Sequence, residues 1–279
     1  MEYLLFRLYG PLASWGEIAV GESRHTAVYP GKSALLGLLA AALGVRRDEE
    51  ERQTEFAAGY RFAVKVVSAG HPLRDYHTTQ APDSVGKFVY RTRRDELVVG
   101  KERLGTILSS REYRCDALSL VAVTAEESAP YTLNEIREAL LKPRFNLYLG
   151  RKSCPLAVPL NPLVRPAAGF GEALDNYPHG ALFISKYLLR KAEKETAKDV
   201  TLSCSPLLAA LSREDEYVFA YGNYPIRYYW EGEAGDLVSQ QALTRHDQPL
   251  SRSRWQFTQR TEHLRIEKEE RRCISPGSE

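Results

Sequence analysis

A short basic motif stands directly before the first long apolar segment of the chain. Gly31, Lys32 and Ser33 precede the run ALLGLLAAAL, and this order matches the end of the P-loop motif that binds nucleotide phosphates. A complete P-loop also needs a glycine five residues before Gly31, where this chain has Thr26. Without such glycines the backbone N–H groups cannot wrap around phosphates, so a nucleotide-hydrolysing enzyme is not expected. What remains is an anion site, with Lys32 and Ser33 at the positive end of a helix.

A second candidate site is the basic stretch GKFVYRTRR at residues 86–94. It contains no acidic residue, and beside Phe88 it carries Lys87, Tyr90, Arg91, Arg93 and Arg94. Cations that neutralise phosphates, together with aromatic rings that stack on bases, are typical of surfaces that bind single-stranded nucleic acid. The alternative is a solvent-exposed hairpin, because acidic residues follow closely at Asp95, Glu96 and Glu102. The sequence leaves both interpretations open.

Two further stretches place arginine and lysine beside a glycine or an aromatic residue. YLGRKSCP carries Arg151 and Lys152 after a glycine, and SRSRWQFTQR carries Arg252 and Arg254 beside Trp255. A glycine lets a ligand approach the backbone, and adjacent cations suit a phosphate. The first stretch could equally be a strand end with solvated charges, and the second an edge strand with one polar face.

The composition excludes several other classes of protein. The formal net charge of the 279 residues is +2, so any nucleic-acid binding must depend on local patches. The apolar runs are too short to cross a membrane, and the four cysteines include no Cys-x-x-Cys pair. We therefore expect a cytoplasmic protein with reduced thiols. The six histidines show no metal-ligand spacing, and we expect neither a metal nor another cofactor.

Hydrophobic patterning predicts two helices and four strands in the first half of the chain. One helix is expected at 33–43, and a second from the capping box of Thr132 and Glu135 to about Leu141. Strands are expected at 3–9, 61–67, 112–124 and 144–150. The resulting order, β-α-β-β-α-β, predicts the α+β class and a ferredoxin-like fold, with both helices on one face of an antiparallel sheet.

Two regions extend beyond that minimal fold. Residues 68–111 separate the second and third strands, and connections of this length usually have a function or are disordered. We predict one domain at 1–158 and a C-terminal extension at 159–279, which is mainly β and ends in a charged tail. Within the extension, the stretches ALFISKYLL and YVFAYGNYPIRYYW suggest strands.

Six motifs occur together in an order that resembles a known family. They are RLYGPLASWGE, PGKSALLGLLAAALG, LRDYHT, SSREYRCDA, LKPRFNLYLGRKSCPL and SRSRWQF. The same order is found in the CasD-type RAMP subunits of type I-E Cascade, the CRISPR surveillance complex of bacteria. The resemblance is dense over residues 1–180 and weaker near 226–264, whereas 181–225 and the tail after 264 look like additional material.

This resemblance implies a non-catalytic RNA-binding subunit that serves antiviral defence. Such a subunit would cap one end of the complex and hold the 5′ handle of the guide RNA. Its RRM-like ferredoxin domain would carry a thumb at about 77–110 that meets the adjoining backbone subunit. The large subunit is a further expected partner, and target DNA an indirect one. Arg111, at the base of the thumb, matches the arginine that family members place against the handle. The full set of expected RNA-binding residues is Lys32, Ser33, Arg24, Lys87, Tyr90, Arg91, Arg93, Arg94, Arg111, Arg151, Lys152, Arg252 and Arg254.

Two other functions stay open. A related RAMP subunit of type I-C systems cuts the guide RNA precursor, and metal-independent cleavage needs a general base and a cation that stabilises the oxyanion. His25, Tyr29 and His77 keep a metal-independent endoribonuclease possible here. However, the cutting relatives carry a tyrosine where Lys32 aligns, and they use a Lys-His pair that is not visible in this chain. The other alternative is a protein-only scaffold without RNA contact.

Overall fold

The computed structural model describes residues 1–19, 21–83, 89–178 and 225–267, and these ranges form a mixed α/β structure that is mostly sheet. The strands are β1 (Glu2–Ala13), β2 (Trp15–Gly16), β3 (Ser23–Arg24), β4 (Thr26–Ala27), β5 (Tyr60–Ser68), β6 (His71–Pro82), β7 (Leu104–Ala125), β8 (Leu163–Pro166), β9 (Ile226–Trp230), β10 (Gln241–Ser251) and β11 (Gln256–Glu267). The helices are α1 (Lys32–Leu43), α2 (Glu50–Ala58), α3 (Arg93–Leu97), α4 (Leu133–Leu141) and α5 (Phe170–Asp175), with a 3₁₀ turn at Lys101–Arg103. None of these helices has the length and apolar character that a membrane span requires.

The two predicted helices are confirmed as α1 and α4, and their starts follow the expected chemistry. At α4 the Glu135 N–H donates to Thr132 Oγ1 over 3.2 Å, and the Thr132 N–H donates to Glu135 Oε2 over 2.7 Å. This reciprocal pairing is the predicted capping box. The predicted strands at 3–9, 61–67 and 112–124 lie within β1, β5 and β7, each of which extends beyond the predicted bounds.

One large sheet joins most of the strands in the described part of the chain. Its order is β10-β11-β9-β5-β7-β1-β8, and each neighbouring pair in this order is antiparallel. β3 and β6 pair with the end of β7 that projects beyond β5. The long β7 therefore belongs both to the central sheet and to a separate projection.

The fourth strand predicted at 144–150 is wrong. In that segment the N–H groups of Arg144 and Phe145 donate to the Ala42 and Ala41 carbonyls, which lie in the last turn of α1. A single bridge between Tyr148 and Pro155 is the only strand-like pairing there. The edge of β1 is instead covered by β8, which pairs with it in antiparallel register. Capping α1 diverts the chain, so the edge strand begins later.

The core lies mainly between the sheet and helices α1, α2 and α4. One face of β5 points into this core, because Phe62, Val64 and Val66 all belong to it. The other main contributors are Leu4, Phe6, Leu8, Leu35, Leu36, Leu39, Phe56, Val121, Val123 and Ile136. The opposite face of the sheet is covered in part by α5, which packs Phe170 against a second buried cluster. Both faces of the central strands are thus buried.

The insertion between β5 and the part of β7 that lies in the central sheet is a projecting β-ribbon, residues 71–115, which we call the thumb. β6 pairs with the first half of β7 from His71 opposite Cys115 to Pro82 opposite Leu104. The ribbon leaves the sheet beside Gly70, whose φ of +61 and close approach to the Cys115 carbonyl leave no space for a Cβ. The ribbon therefore starts several residues before the predicted bound of 77. Residues 84–88 lie outside the described part of the thumb.

The C-terminal strands extend the central sheet. β9 pairs with β5, and β11 and β10 follow outward. The predicted boundary between residues 158 and 159 stays a prediction, although the strands on either side of it share one sheet. Within YVFAYGNYPIRYYW, the last five residues form β9, and residues 217–224 lie outside the described residues. ALFISKYLL also lies outside them, as does the charged tail from residue 268 onward, whereas residues 265–267 belong to β11.

Candidate nucleic-acid interface

The N-terminus of α1 does bind an anion, but the anion comes from within the protein. The backbone N–H of Lys32 donates to Asp247 Oδ2 over 2.7 Å. The ammonium of Lys32 lies 2.9 Å from Glu231 Oε2, and the lysine is only 6% exposed. A Cβ at Gly31 would lie 2.5 Å from the same Asp247 oxygen, so the glycine admits this carboxylate. The geometry therefore argues against the predicted phosphate contact by Lys32.

A network of charged groups continues from Asp247 into the C-terminal hairpin of β10 and β11. Arg260 donates to Asp247 over 2.7 and 3.0 Å and to Glu262 over 2.6 Å. Burial alone would lower the pKa of Arg260, but its hydrogen bond with Asp247 and the nearby carboxylates raise the pKa above its usual value. Tyr29 donates its hydroxyl to Glu262, and burial followed by this carboxylate raises the tyrosine pKa. These contacts attach the C-terminal hairpin to the start of α1.

Three of the predicted RNA-binding arginines meet at the base of the thumb. Arg24 of β3 lies opposite Arg111 of β7 in parallel register, so their side chains emerge on the same face. Arg151, from the loop after α4, donates to the Arg24 carbonyl over 3.4 Å. Its guanidinium carbon lies 5.0 Å from the ring centre of Tyr113, two residues beyond Arg111 on the same face. We call Arg24, Arg111, Tyr113 and Arg151 the thumb-base cluster.

The acidic residues nearest Arg111 in sequence have other partners. Glu112 points to the opposite face, where it pairs with Arg74 at 2.9 Å and His25 at 3.2 Å. The hydrogen bond from Arg74, and then that from His25, lower the pKa of Glu112. Asp116 accepts a hydrogen bond from Tyr9. Arg111 is exposed and forms no ion pair within the described residues.

One carboxylate does lie on the face of the thumb-base cluster. Asp75 is directly opposite Arg111 in the register of β6 and β7, and it hydrogen-bonds to His77. One carboxylate beside three guanidinium groups leaves this face with a net positive charge.

At the tip of the thumb, part of the basic stretch predicted at 86–94 is paired with groups of the protein itself. Arg93 pairs with Glu96 and donates to the Gln80 carbonyl. The Arg91 N–H contacts the carboxylate of Asp95, which also caps α3. These contacts favour the alternative of a solvated hairpin for this part of the stretch. Tyr90 donates to the Asp83 carbonyl over 3.1 Å, Arg94 is exposed, and Lys87 lies outside the described residues.

The remaining predicted residues line an open groove along α1, or lie beside it. The groove has a volume of about 1850 Å³, and Ser33, Lys152 and Arg252 contribute to its walls. Arg252 donates to the Ser33 carbonyl and passes over α1 at Gly37. Arg254 is exposed on the same hairpin but does not line the groove.

The sequence analysis did not identify two residues, one aromatic and one basic, that lie close to predicted RNA-binding residues. Tyr113 is two residues from Arg111, and strand alternation within SSREYRCDA would have placed both on one face. Arg47 follows the C-terminus of α1, and its guanidinium lies 4.4 Å from the ring centre of Trp255. No sequence signal joins two residues so far apart in the chain.

The three residues that kept an endoribonuclease possible do not form one site. His25 pairs with Glu112, His77 with Asp75, and the Tyr29 hydroxyl with Glu262. No hydrogen bond or ion pair joins any two of the three. Tyr29 is buried, and its raised pKa keeps the hydroxyl protonated, so it is poorly suited to act as a general base.

Comparison with known proteins gives a consistent set of relatives. A family model described as CRISPR-associated protein (Cas_Cas5) matches residues 3–263. The CRISPR system Cascade subunit CasD of Escherichia coli (strain K12) is 35% identical over 216 residues, covering 73% of this chain and 90% of that protein. A chain from a CRISPR RNA-guided surveillance complex has a TM-score of 0.60 and 25% identity, covering 95% of this chain and 90% of its own length. Another solved structure, described as the crystal structure of a Cas protein, has a TM-score of 0.56 and 25% identity, covering 96% of each chain.

These matches confirm the resemblance that the six sequence motifs indicated. The family match begins in β1 and ends in β11, so it includes the thumb-base cluster and the C-terminal hairpin. The chain belongs to the Cas5 family of CRISPR-associated proteins.

Proposed function

We propose that this chain is a non-catalytic subunit of a type I-E Cascade complex that holds the 5′ handle of the guide RNA in antiviral defence. The observation that carries the proposal is the thumb-base cluster. Arg24, Arg111 and Arg151 come from three separate segments, yet they lie together around one face of the thumb ribbon. Its cytoplasmic location and its indirect contact with target DNA follow from the same proposal.

The chemistry of the cluster suits single-stranded RNA. A guanidinium can donate two hydrogen bonds to one phosphate or stack on an unpaired base, and it keeps its charge at any physiological pH. Arg151 lies over the Tyr113 ring and donates to the Arg24 carbonyl, and these contacts keep its guanidinium beside Arg24. Because no carboxylate in the described part of the chain is bound to Arg111, an RNA phosphate would not have to displace one of them.

We further infer a ferredoxin-like topology for the domain that carries the cluster. The strand order β8-β1-β7-β5, with every pair antiparallel, is the arrangement expected from a β-α-β-β-α-β chain. Helices α1 and α4 pack on the same face of these strands. The thumb then replaces the short connection between the second and third strands of that fold.

We also propose that the thumb contacts the neighbouring backbone subunit, with the large subunit as a second protein partner. The ribbon exposes several large apolar side chains, namely Leu73, Tyr76, Val98, Ile107 and Leu108. Leu73 and Ile107 lie on one face of the ribbon, and Tyr76 and Leu108 on the other. Exposed apolar residues on a projecting element favour a protein-binding surface. The bound neighbour would shield these side chains and keep the base of the thumb against the RNA.

A double variant tests the handle proposal. We expect Arg24→Ala with Arg151→Ala to reduce the guide RNA that co-purifies with the assembled complex, because two phosphate partners are lost. Arg165→Ala is the matched control, since Arg165 is also exposed but lies in β8 at the other edge of β1. Equal RNA content in the double variant, the control and the unaltered complex would refute the proposal.

A further inference from the structure

The tip of the β10–β11 hairpin carries a large aromatic side chain that is exposed to solvent. Trp255 is 59% exposed, whereas Trp15 and Trp230 are buried. Its φ of 54° lies in the left-handed region, which bulky residues rarely adopt. Unfavourable backbone conformations of this kind concentrate where a side chain must be presented to a ligand. The exposed ring lines one end of the groove along α1.

Arg47 lies against this ring, and Arg252 lies close enough to Arg47 for their positive charges to interact. Arg47 stacks on Trp255 at 4.4 Å, and Arg252 donates to the Ser33 carbonyl. Burial lowers the pKa of Arg252, and the positive charge of Arg47 lowers it further. Neither arginine forms an ion pair with a described residue, although Asp48 also lines the groove. An anion between the two would remove their mutual repulsion.

The surrounding contacts hold Arg252 in place before any ligand arrives. Its Nη2 would lie 3.7 Å from a Cβ at Gly37, so the guanidinium rests directly on the surface of α1. Ser251, the preceding residue, donates its hydroxyl to Glu50 of α2. The hairpin is thus attached to both helices, and Arg252 is held on the surface of α1.

We propose that Arg47, Arg252 and Trp255 bind one nucleotide of single-stranded RNA, with its phosphate between the guanidinium groups and its base against the indole ring. This inference rests on the proposed RNA-binding function and adds a second site to it, at the end of the α1 groove. A combined cation and aromatic surface recognises phosphate and base together, which an acidic peptide would use only in part. The site is formed by α1, the loop after it and the C-terminal hairpin, and no residue of the thumb contributes to it.

Native fluorescence tests the proposal on the full-length protein freed of nucleic acid. Because the chain has three tryptophans and the other two are buried, a short oligouridylate should quench the signal of Trp255. In fluorescence anisotropy of a labelled oligouridylate, we expect Trp255→Ala to weaken binding about tenfold and Trp255→Phe to keep affinity within about threefold. Trp255→Phe should also abolish the quenching. Arg252→Ala should also weaken binding about tenfold, and Arg252→Lys less. Arg165→Ala removes one exposed charge from β8, outside the groove, and should change affinity by no more than about twofold.

Several results would overturn the assignment. These are an absence of quenching, equal losses in the Arg252 and Arg165 variants, and full competition by a short polyglutamate. Melting temperatures of all variants would show whether any loss reflects unfolding. The two sites can be separated, because Arg111→Ala in the assembled complex tests the handle proposal and should leave oligouridylate quenching of the isolated chain intact. Loss of quenching in that variant would contradict a separate site.

Discussion

Replacing Lys32 tests the revised role of the α1 N-terminus. Lys32→Met removes the ammonium but keeps much of the side-chain volume, and it leaves Glu231 buried without its ion partner. Breaking a buried ion pair in this way costs about 3–5 kcal/mol. Glu231 keeps one hydrogen bond, from the Phe62 N–H at 3.0 Å, so we expect the free energy of unfolding to fall by about 3 kcal/mol. For a domain of this size that corresponds to a fall in melting temperature of about 6–12 °C.

The assay combines thermal unfolding with RNA retention. Lys152→Met is the matched control, because Lys152 is exposed and should leave the melting temperature almost unchanged. Combining Lys32→Met with Glu231→Gln should cost less than the sum of the two single changes, because both charges are then absent. A Lys32→Met variant that melts normally but loses guide RNA in the complex would refute this account and restore the phosphate role predicted from the sequence.

Three further predictions follow from the same contacts. Gly31→Ala should lower the melting temperature, because its Cβ would meet Asp247 at 2.5 Å, and an unchanged transition would show that the hairpin moves aside freely. The pKa of Glu112 lies below its usual value of 4.5, so the stabilisation that its carboxylate provides is present above that value and is lost as the pH falls through the lowered pKa. Glu112→Gln should therefore make the protection of thumb amides against hydrogen exchange less sensitive to acid. An unchanged pH profile would contradict this. If the three arginines of the thumb-base cluster each bind one phosphate, affinity for the handle RNA should fall about a hundredfold per tenfold rise in salt, and a flat salt dependence would count against phosphate contacts.

Local chemistry was predictable from the sequence, and long-range partners were not. The capping box at Thr132 was correct because it depends on neighbouring residues. The ion pair of Lys32 joins residues 199 positions apart, and the cap by Asp247 spans 215 positions. The sequence showed that an anion belongs at the start of α1, but only the fold shows that the protein supplies it.

The sequence predicted the residues of the candidate RNA site but not their proximity, again because the contacts are long-range. Arg24, Arg111 and Arg151 were each expected to bind RNA, but nothing in the sequence placed them together. Their proximity depends on β3 pairing in parallel with β7, and on the loop after α4 returning to the base of the thumb. The missing edge strand at 144–150 has the same origin, because that segment caps α1 and then supplies Arg151.

Guide retention by an Arg111 variant tests the central claim most directly. Arg111→Ala should weaken handle binding in the assembled complex by about 1.5–3 kcal/mol, roughly ten- to a hundredfold, through loss of one charge-assisted contact. Arg111→Lys should fall between this variant and the unaltered protein, because lysine keeps the charge but not the planar fork. Since Arg111 is exposed and forms no ion pair within the described residues, we expect the melting temperature to stay unchanged. An Arg111→Ala complex that melts early yet retains its guide RNA would contradict the account.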